Sequence, residues 1–588
     1  MEHQRTHTCG QLRLENVGET VVLNGWVDTV RDHGGLMFFE IRDRYGFTQV
    51  VVDPEEQPSV RDLKSEWVVA VKGEVKARPE ENKNPNKATG DIDLYVDVLE
   101  VLNRSKVPPF EVQDDLATRE ELRLEYRYLD MRRRPVLSAM EMRSRVTQIM
   151  RREFHDEGFM EVETPVLMKT SPEGARDFIV PSRLHLGKVY GLPQSPQLFK
   201  QTLMVCGIDK YFQICKCFRD EDLRADRQPE FTQLDMEMSF VRQDDVFRVI
   251  ERTMAAIYQE LKGIEVPTPF PRYTYHEAMN RWGIDKPDVR FDLELFDLSD
   301  VAKESGFKVF KGAVESGGIV RGLVLPGGAE LTRKMIDAAE AVAKEYGARG
   351  LAWLKLTDEG PTGGISKFLG AAELEAIKDR GGAKPGDLVV FGADTWTTAL
   401  TALGQVRLHF GKTRDLIDKS RAALLWVTDF PLFEWSEDDQ RWQAMHHMFT
   451  APRQPLPAKG EDLSDITADL YDLVIDGNEI GSGSIRIHRP EIQTQIFDHV
   501  GITPEEADLK FGWFLKALDY GAPPHGGIAL GLDRIVMLLV NGQSLREVIA
   551  FPKLASGVCP LTQSPSPPDA AQWDELGLGV VEQDANEG

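Results

Sequence analysis

The chain has 588 residues, of which 41% are hydrophobic and 28% charged, an ordinary globular composition long enough for about four domains of roughly 150 residues each. Its formal charge of −25 speaks against a nonspecific nucleic-acid coat, whose footprint would be basic. There is no apolar run of about 18 residues to span a membrane, and the N-terminus, MEHQRTHTCG, lacks an apolar signal core. The cysteines, Cys9, Cys206, Cys215, Cys217 and Cys559, form no CxxC pair, so reduced thiols, no zinc site and a cytoplasmic location are expected.

In chain order, five short strand-like runs come first, at 20–30, 36–43, 47–53, 67–77 and 91–102, separated by Gly, Asp and Pro. They predict a small β-barrel of OB type over 1–105, a common oligonucleotide platform. Arg31, Phe38 and Gln49 combine an aromatic that can stack on a base with polar groups that can read its edge. Residues 106–135 read as a hinge. Residues 138–159 predict a helix with an apolar stripe of Met142, Val146, Ile149 and Met150, stopped by Gly158. A strand is expected over 159–168, with Pro165 placing it at a sheet edge.

The runs YFQICKCF (211–218) and FTQLDMEMSF (231–240) are strand-like and flank a loop with five acids and three arginines in residues 219–230. Arg219 and Glu221, two apart, suit a polyphosphate ligand: guanidinium for a phosphate, carboxylate for an amino group on a base. Residues 286–420 turn Ala/Gly-rich and read as a compact inserted α+β module with no catalytic constellation. Beyond it, 422–435 and 441–452 read as adjacent strands, the second carrying His446 and His447. The segment 471–488 reads as a strand pair with Asp472 and Glu479 seven apart. Two carboxylates near phosphates imply Mg²⁺, and Arg486 offers a planar fork for a carboxylate. Residues 521–542 read as a strand running into a helix, with glycines that allow close backbone approach to a nucleotide. The whole is a multidomain α+β chain.

FRDE (218–221) and its aromatic-bearing return strand resemble the second signature motif of the class II aminoacyl-tRNA synthetases. The helix, strand and Pro165 are similar to the first motif, which forms the dimer interface, and GLDR (531–534) resembles the third. GWVDTVRDHGGLMFFEIRDRYG (25–46) resembles the OB domain that reads the anticodon in the Asp, Asn and Lys enzymes. The module at 286–420 is similar to the insertion of bacterial-type aspartyl-tRNA synthetases. The resemblance covers about 1–560 and implies an anticodon-binding barrel (1–105), a hinge (106–135), an antiparallel-sheet catalytic domain in two halves (136–285 and 421–555) around the insertion, and a C-terminal extension (556–588).

It also implies roles. Arg219 and Arg534 would be catalytic, with Arg219 holding both the α-phosphate and the amino-acid carboxylate. Asp220, Glu221, Gln228, Phe231, Glu479, Gly531, Leu532, Asp533 and Arg534 would bind ATP, Phe231 by stacking on adenine. Glu173, Ser195, Gln197, Lys200, Asp235, His446, His447 and Arg486 would surround aspartate. Asp235 would take the α-ammonium, and Lys200 with Arg486 the β-carboxylate. Asp472 and Glu479 would hold Mg²⁺. Arg31, Phe38 and Gln49 would read the anticodon. Met448 stands where the family has Pro after the His pair. His33 resembles the relaxed enzymes that charge both tRNA(Asp) and tRNA(Asn), whereas Glu81 stands where those have Gly, so the two indications conflict. The implied protein is a homodimeric aspartate–tRNA ligase acting on ATP, L-aspartate and tRNA(Asp), with tRNA(Asn) left open. The alternative is a synthetase-like ligase or binder that no longer charges tRNA.

Overall fold

The computed structural model describes residues 4–170 and 175–579. Alternating apolar residues close β1 (Thr20–His33), β2 (Leu36–Asp43), β3 (Gly46–Val52), β4 (Val68–Ala77) and β5 (Ile92–Asn103) into a barrel of order β1-β2-β3-β5-β4. Leu23, Val27, Phe39, Ile41, Val50 and Val71 fill it. Arg31 lies opposite Phe38, and Gln49 opposite Glu40. Because alternate strand residues face the same way, Arg31, Phe38 and Gln49 share the outer face.

The barrel belongs to a compact unit formed by Met1–Glu141 and Arg546–Ser566. In the predicted hinge, the fully buried Asp130 carboxylate accepts hydrogen bonds from Arg127 (2.7 Å) and Arg133 (2.6 Å). Arg127 also donates to the carbonyls of Arg546, Ile549 and Ala550, each at 2.9 Å. A guanidinium with five donors in a fixed fork thus ties the late segment to this unit.

The second unit, Met142–Leu545 with Pro567–Gly588, is built on an eight-stranded sheet. Its main strands are β6 (Lys210–Phe218), β7 (Glu230–Ser239), β8 (Leu470–Ile475), β9 (Asn478–Ile485) and β10 (His525–Gly531). The order is Arg272–Thr274, Leu424–Thr428, β8, β9, β10, β7, β6, Met160–Glu161. The inner pairings are antiparallel, and the two edge pairings are parallel. β6 pairs with β7 and β8 with β9, and the late strand β10 then inserts between β9 and β7, joining strands far apart in the chain.

The inserted module is a separate five-stranded antiparallel sheet of order Leu295–Asp297, Ile319–Leu325, Leu388–Asp394, Ala352–Thr357, Gly360–Thr362. One apolar core packs the helices Arg333–Glu345 and Trp396–Thr413 against it. A second core lies under Ala302, Phe310 and Ile377. Sandwiched between two cores, its strands Ile319–Leu325 and Leu388–Asp394 are mostly apolar, LVVFGA without a break and IVRGLVL interrupted only by Arg321.

Two local expectations need correction. The strand expected over 159–168 is ordered as a strand only at Met160–Glu161; Pro165 has no N–H to donate to a ladder, and Met168 forms only an isolated bridge to Gly191. The run expected to carry the His pair ends as a strand at Ala444. It pairs with Phe433–Ser436 in a separate hairpin, so His446 and His447 lie in the loop that follows.

Candidate active site

Strand β7 is the floor of the site. Its register places Asp235 and Glu237 two residues apart on one face, and both carboxylates are fully buried. Lys200, from helix Gln197–Val205, is buried as well and lies 3.2 Å from Asp235 Oδ2 and 3.2 Å from Glu237 Oε2. Arg486, just beyond β9, is buried and holds Glu237 side-on, with Nε 2.9 Å from Oε1 and Nη2 3.2 Å from Oε2. Its Nη1 donates to Ser484 Oγ at 2.7 Å and lies 2.9 Å from His447 Nε2. A guanidinium can only donate, so that imidazole nitrogen accepts and the ring is neutral. Enclosure and the adjoining Arg486 charge hold the His447 pKa well below its ordinary value.

The two carboxylates are driven apart. Burial pushes Asp235 up to about 6, against the pull of Lys200 and with a further push from Glu237. At Glu237 the same burial is outweighed by Arg486 and Lys200, and its pKa is lowered. Glu237 is the residue that the sequence reading missed. The signal was present in the D-x-E spacing of β7, acids set on one face while Met236 and Met238 alternate on the other.

Next to this cluster the chain leaves polar atoms unmatched. Arg219 follows β6 and sets its guanidinium over the Phe231 ring, 5.3 Å from the centroid. Its Nε is buried without a hydrogen-bond partner among the described residues. The same holds for Asp235 Oδ1, Gln197 Nε2 and Asp472 Oδ1. Buried polar groups are normally paired, so four orphans among residues already singled out by the sequence mark a site shaped for a polar ligand.

Asp472 on β8 and Glu479 on β9 are close enough to repel. Burial first, and then Glu479, push the Asp472 pKa well above the carboxylate range. An unpartnered carboxylate oxygen beside a second carboxylate fits a divalent cation. No cluster of three or more His, Cys, Asp or Glu side chains suited to a metal exists among the described residues. The pair would therefore share the ion with ligand oxygens, as expected where phosphates complete the shell. Arg534, in the first turn of helix Leu532–Leu539, is anchored by donating to the Glu479 carbonyl at 2.8 Å.

The remaining predicted residues are placed as follows. Gln228 is buried, and Ser195 is half-buried just ahead of the Lys200 helix. Glu221 pairs with Arg227 at 3.1 Å, and Asp220 lies 3.7 Å from Arg176. Gly531 ends β10. Leu532 is in the core, and Asp533 is engaged behind the site, accepting from the Thr232 N–H at 2.8 Å and pairing with Arg143. Asp533 thus fixes the backbone next to Phe231. His446 is exposed, with its ring edge-on to Phe430 at 5.1 Å. Glu173 lies outside the described residues. On the barrel, Arg31 is exposed, Phe38 is half-buried with His33 edge-on at 5.6 Å, and Gln49 donates to Asp93 Oδ1 at 3.0 Å. Glu81 is exposed in the turn Glu80–Asn82 between β4 and β5.

The family profile "tRNA synthetases class II (D, K and N)" matches residues 119–555, and "OB-fold nucleic acid binding domain" matches residues 21–102. The aspartate–tRNA(Asp/Asn) ligase of Moorella thermoacetica is 50% identical over 98% of this chain and 96% of its own. That of Aquifex aeolicus is 48% identical over 99% of both. The aspartate–tRNA ligase of Geobacillus kaustophilus is 49% identical over 98% of this chain and 99% of its own. The crystal structure of asparaginyl-tRNA synthetase from Pyrococcus horikoshii with asparaginyl-adenylate shares the fold at 19% identity, with a TM-score of 0.57 over 94% of this chain and 98% of that one. With its barrel, its eight-stranded sheet and relatives matched almost end to end, this chain belongs to the aspartate–tRNA ligase family of class II tRNA synthetases.

Proposed function

We propose that this protein activates L-aspartate with ATP and transfers the aspartyl group to tRNA. The observation that carries the reading is the buried pair of cations, Lys200 and Arg486, facing a carboxylate, Asp235, with one oxygen unpartnered. Asp235 receives the α-ammonium, and the two cations receive the β-carboxylate. Asparagine would set an amide NH₂ against them, and lysine a like charge.

In the first step an oxygen of the aspartate α-carboxylate attacks the α-phosphorus of ATP; the bond to the bridging oxygen breaks and pyrophosphate leaves. The nucleophile is already ionised, so no general base is required. The residues align the reactants and stabilise charge. Arg219, with its free Nε, holds the α-phosphate and carboxylate, Phe231 stacks on adenine, and Arg534 supports the leaving phosphates. Asp472 and Glu479 would hold Mg²⁺, which neutralises phosphate charge when bound. In the second step a hydroxyl of the terminal tRNA ribose attacks the aspartyl carbonyl and AMP leaves.

The barrel face of Arg31, Phe38 and Gln49 reads the anticodon. Exposed apolar residues beside the first motif, Met160, Val166 and Leu167, support a homodimer. No helix among the described residues is long and apolar enough to cross a membrane, and the cytoplasm is the proposed location. His33 against Phe38, together with the names of the Moorella and Aquifex relatives, supports charging of both tRNA(Asp) and tRNA(Asn), while Glu81 argues the other way.

Aspartylation of purified tRNA(Asp) and tRNA(Asn), with ATP–pyrophosphate exchange on aspartate, asparagine and lysine, tests the reading. Aspartate-dependent exchange with charging of both tRNAs is expected. Exchange without charging would support the synthetase-like alternative, and charging of tRNA(Asp) alone would make His33 incidental.

A further inference from the structure

Glu237 is neither on the surface nor among the residues that would touch the reacting atoms, yet its seat is elaborately prepared. Both of its oxygens are used: Oε1 by Arg486 Nε at 2.9 Å, and Oε2 by Lys200 Nζ and Arg486 Nη2, each at 3.2 Å. The facing strand gives way to it. At Gly527 a Cβ would come within 2.3 Å of Glu237 Oε2 and 2.0 Å of the Met236 carbonyl, so any larger residue there would evict the carboxylate. A buried acid with two buried cations and a glycine cut to fit is a costly arrangement, and packing alone does not require it.

The charge balance gives it a purpose. Lys200 and Arg486 carry two positive charges, Asp235 and Glu237 two negative ones, and His447 is neutral. Once Asp235 is matched by an α-ammonium, the far end of the pocket keeps two cations and one anion. It then lacks a single negative charge. We infer that Glu237 is a specificity-determining positioning residue, a built-in counter-anion that sets Lys200 and Arg486 in place and tunes the pocket to a side chain bearing one negative charge. The inference rests on aspartate being the substrate. A neutral side chain leaves a buried cation unmatched, and a doubly charged one overfills the site. Before binding, Glu237 keeps both cations paired, so the empty pocket holds no bare charge.

The test is a charge-swap series on the full-length enzyme. ATP–pyrophosphate exchange with aspartate is measured first for the wild type; absence of exchange would remove the substrate assignment, and with it this inference. With an active wild type, Glu237→Gln is expected to lower kcat for exchange by about 10²-fold, the cost of a misplaced reacting group. It should also shift preference, measured as competitive inhibition, toward the β-phosphonate analogue of aspartate over the carboxylate by about tenfold, since the pocket now lacks two negative charges. A residue that merely packs would not move that ratio. The single variant should melt at a lower temperature, and the double variant Lys200→Met/Glu237→Gln, which restores neutrality, should recover the loss while remaining inactive. An unchanged phosphonate-to-carboxylate ratio, or a double variant no more stable than the single one, overturns the inference.

Discussion

Lys200 and Arg486 are 1% and 2% exposed, whereas Arg31 lies open on the barrel face beside a half-buried Phe38. Both regions would meet a charged ligand. The pocket does so with charges already desolvated and paired to the protein's own acids, so a wrong side chain leaves a buried charge unmatched and is rejected strongly. The barrel presents a solvated guanidinium and an aromatic surface, where each interaction is weaker and screened by salt. On the proposed function, the pocket would discriminate steeply for a small amino acid and the barrel face would give graded affinity for a large RNA. The two should respond differently to mutation.

The sharpest separation is expected from Arg219→Ala. It removes the guanidinium over Phe231 and should lower aspartate-dependent pyrophosphate exchange by about 10³-fold, while tRNA binding, measured by filter retention, stays near the wild-type value. Parallel losses of exchange and tRNA binding would break the comparison. Phe38→Ala is the converse. Loss of one stacking platform should weaken tRNA by about 1–3 kcal/mol, seen as a raised KM for tRNA, with exchange kinetics unaltered.

A pH series separates the regions again. Asp235 has its pKa pushed up to about 6 by burial. As pH falls through about 6 it takes a proton and loses the charge proposed for the α-ammonium, so the aspartate KM should rise about tenfold per unit while the tRNA KM does not follow. The effect on stability has the opposite sign. A carboxyl whose pKa is higher folded than in its ordinary state, 3.8, contributes stability below that value and loses it as pH rises through about 6. Urea midpoints of wild type and Asp235→Asn across that range would show it. The smallest effect is expected from His33→Leu, a shift of a few-fold, roughly 1 kcal/mol, in the ratio of tRNA(Asn) to tRNA(Asp) charging, with no change in the amino-acid step.

Much of this architecture was legible from the chain. The five barrel strands fall within a few residues of their predicted runs because they are rich in strand-forming apolar residues and Gly, Asp or Pro separates one run from the next. The inserted module was recognisable as α+β by its change to an Ala/Gly-rich texture, and in the structure Gly347 and Gly382, both at positive φ, follow its helices Arg333–Glu345 and Ala371–Gly381. Two elements misled. Residues 159–168 carry strand-forming side chains but almost no ladder, because pairing depends on a neighbour that local sequence does not specify. The His pair follows a strand-like run, yet the run belongs to a small hairpin and the histidines fall beyond it.

The sequence alone pointed to an N-terminal barrel followed by a class II synthetase domain, since both are written in local periodicity, turn chemistry and short motifs. Only the tertiary structure decided which charges meet. Arg486 and Glu237 are 249 residues apart, and they touch because β10 lies between β9 and β7, an order no local pattern encodes. The same non-sequential sheet lets Asp533 reach the backbone of Thr232, 301 residues away. It also turns the predicted pair of carboxylate-binding cations into a neutral cluster, because removing charge from water is tolerable only where an opposite charge is brought to meet it.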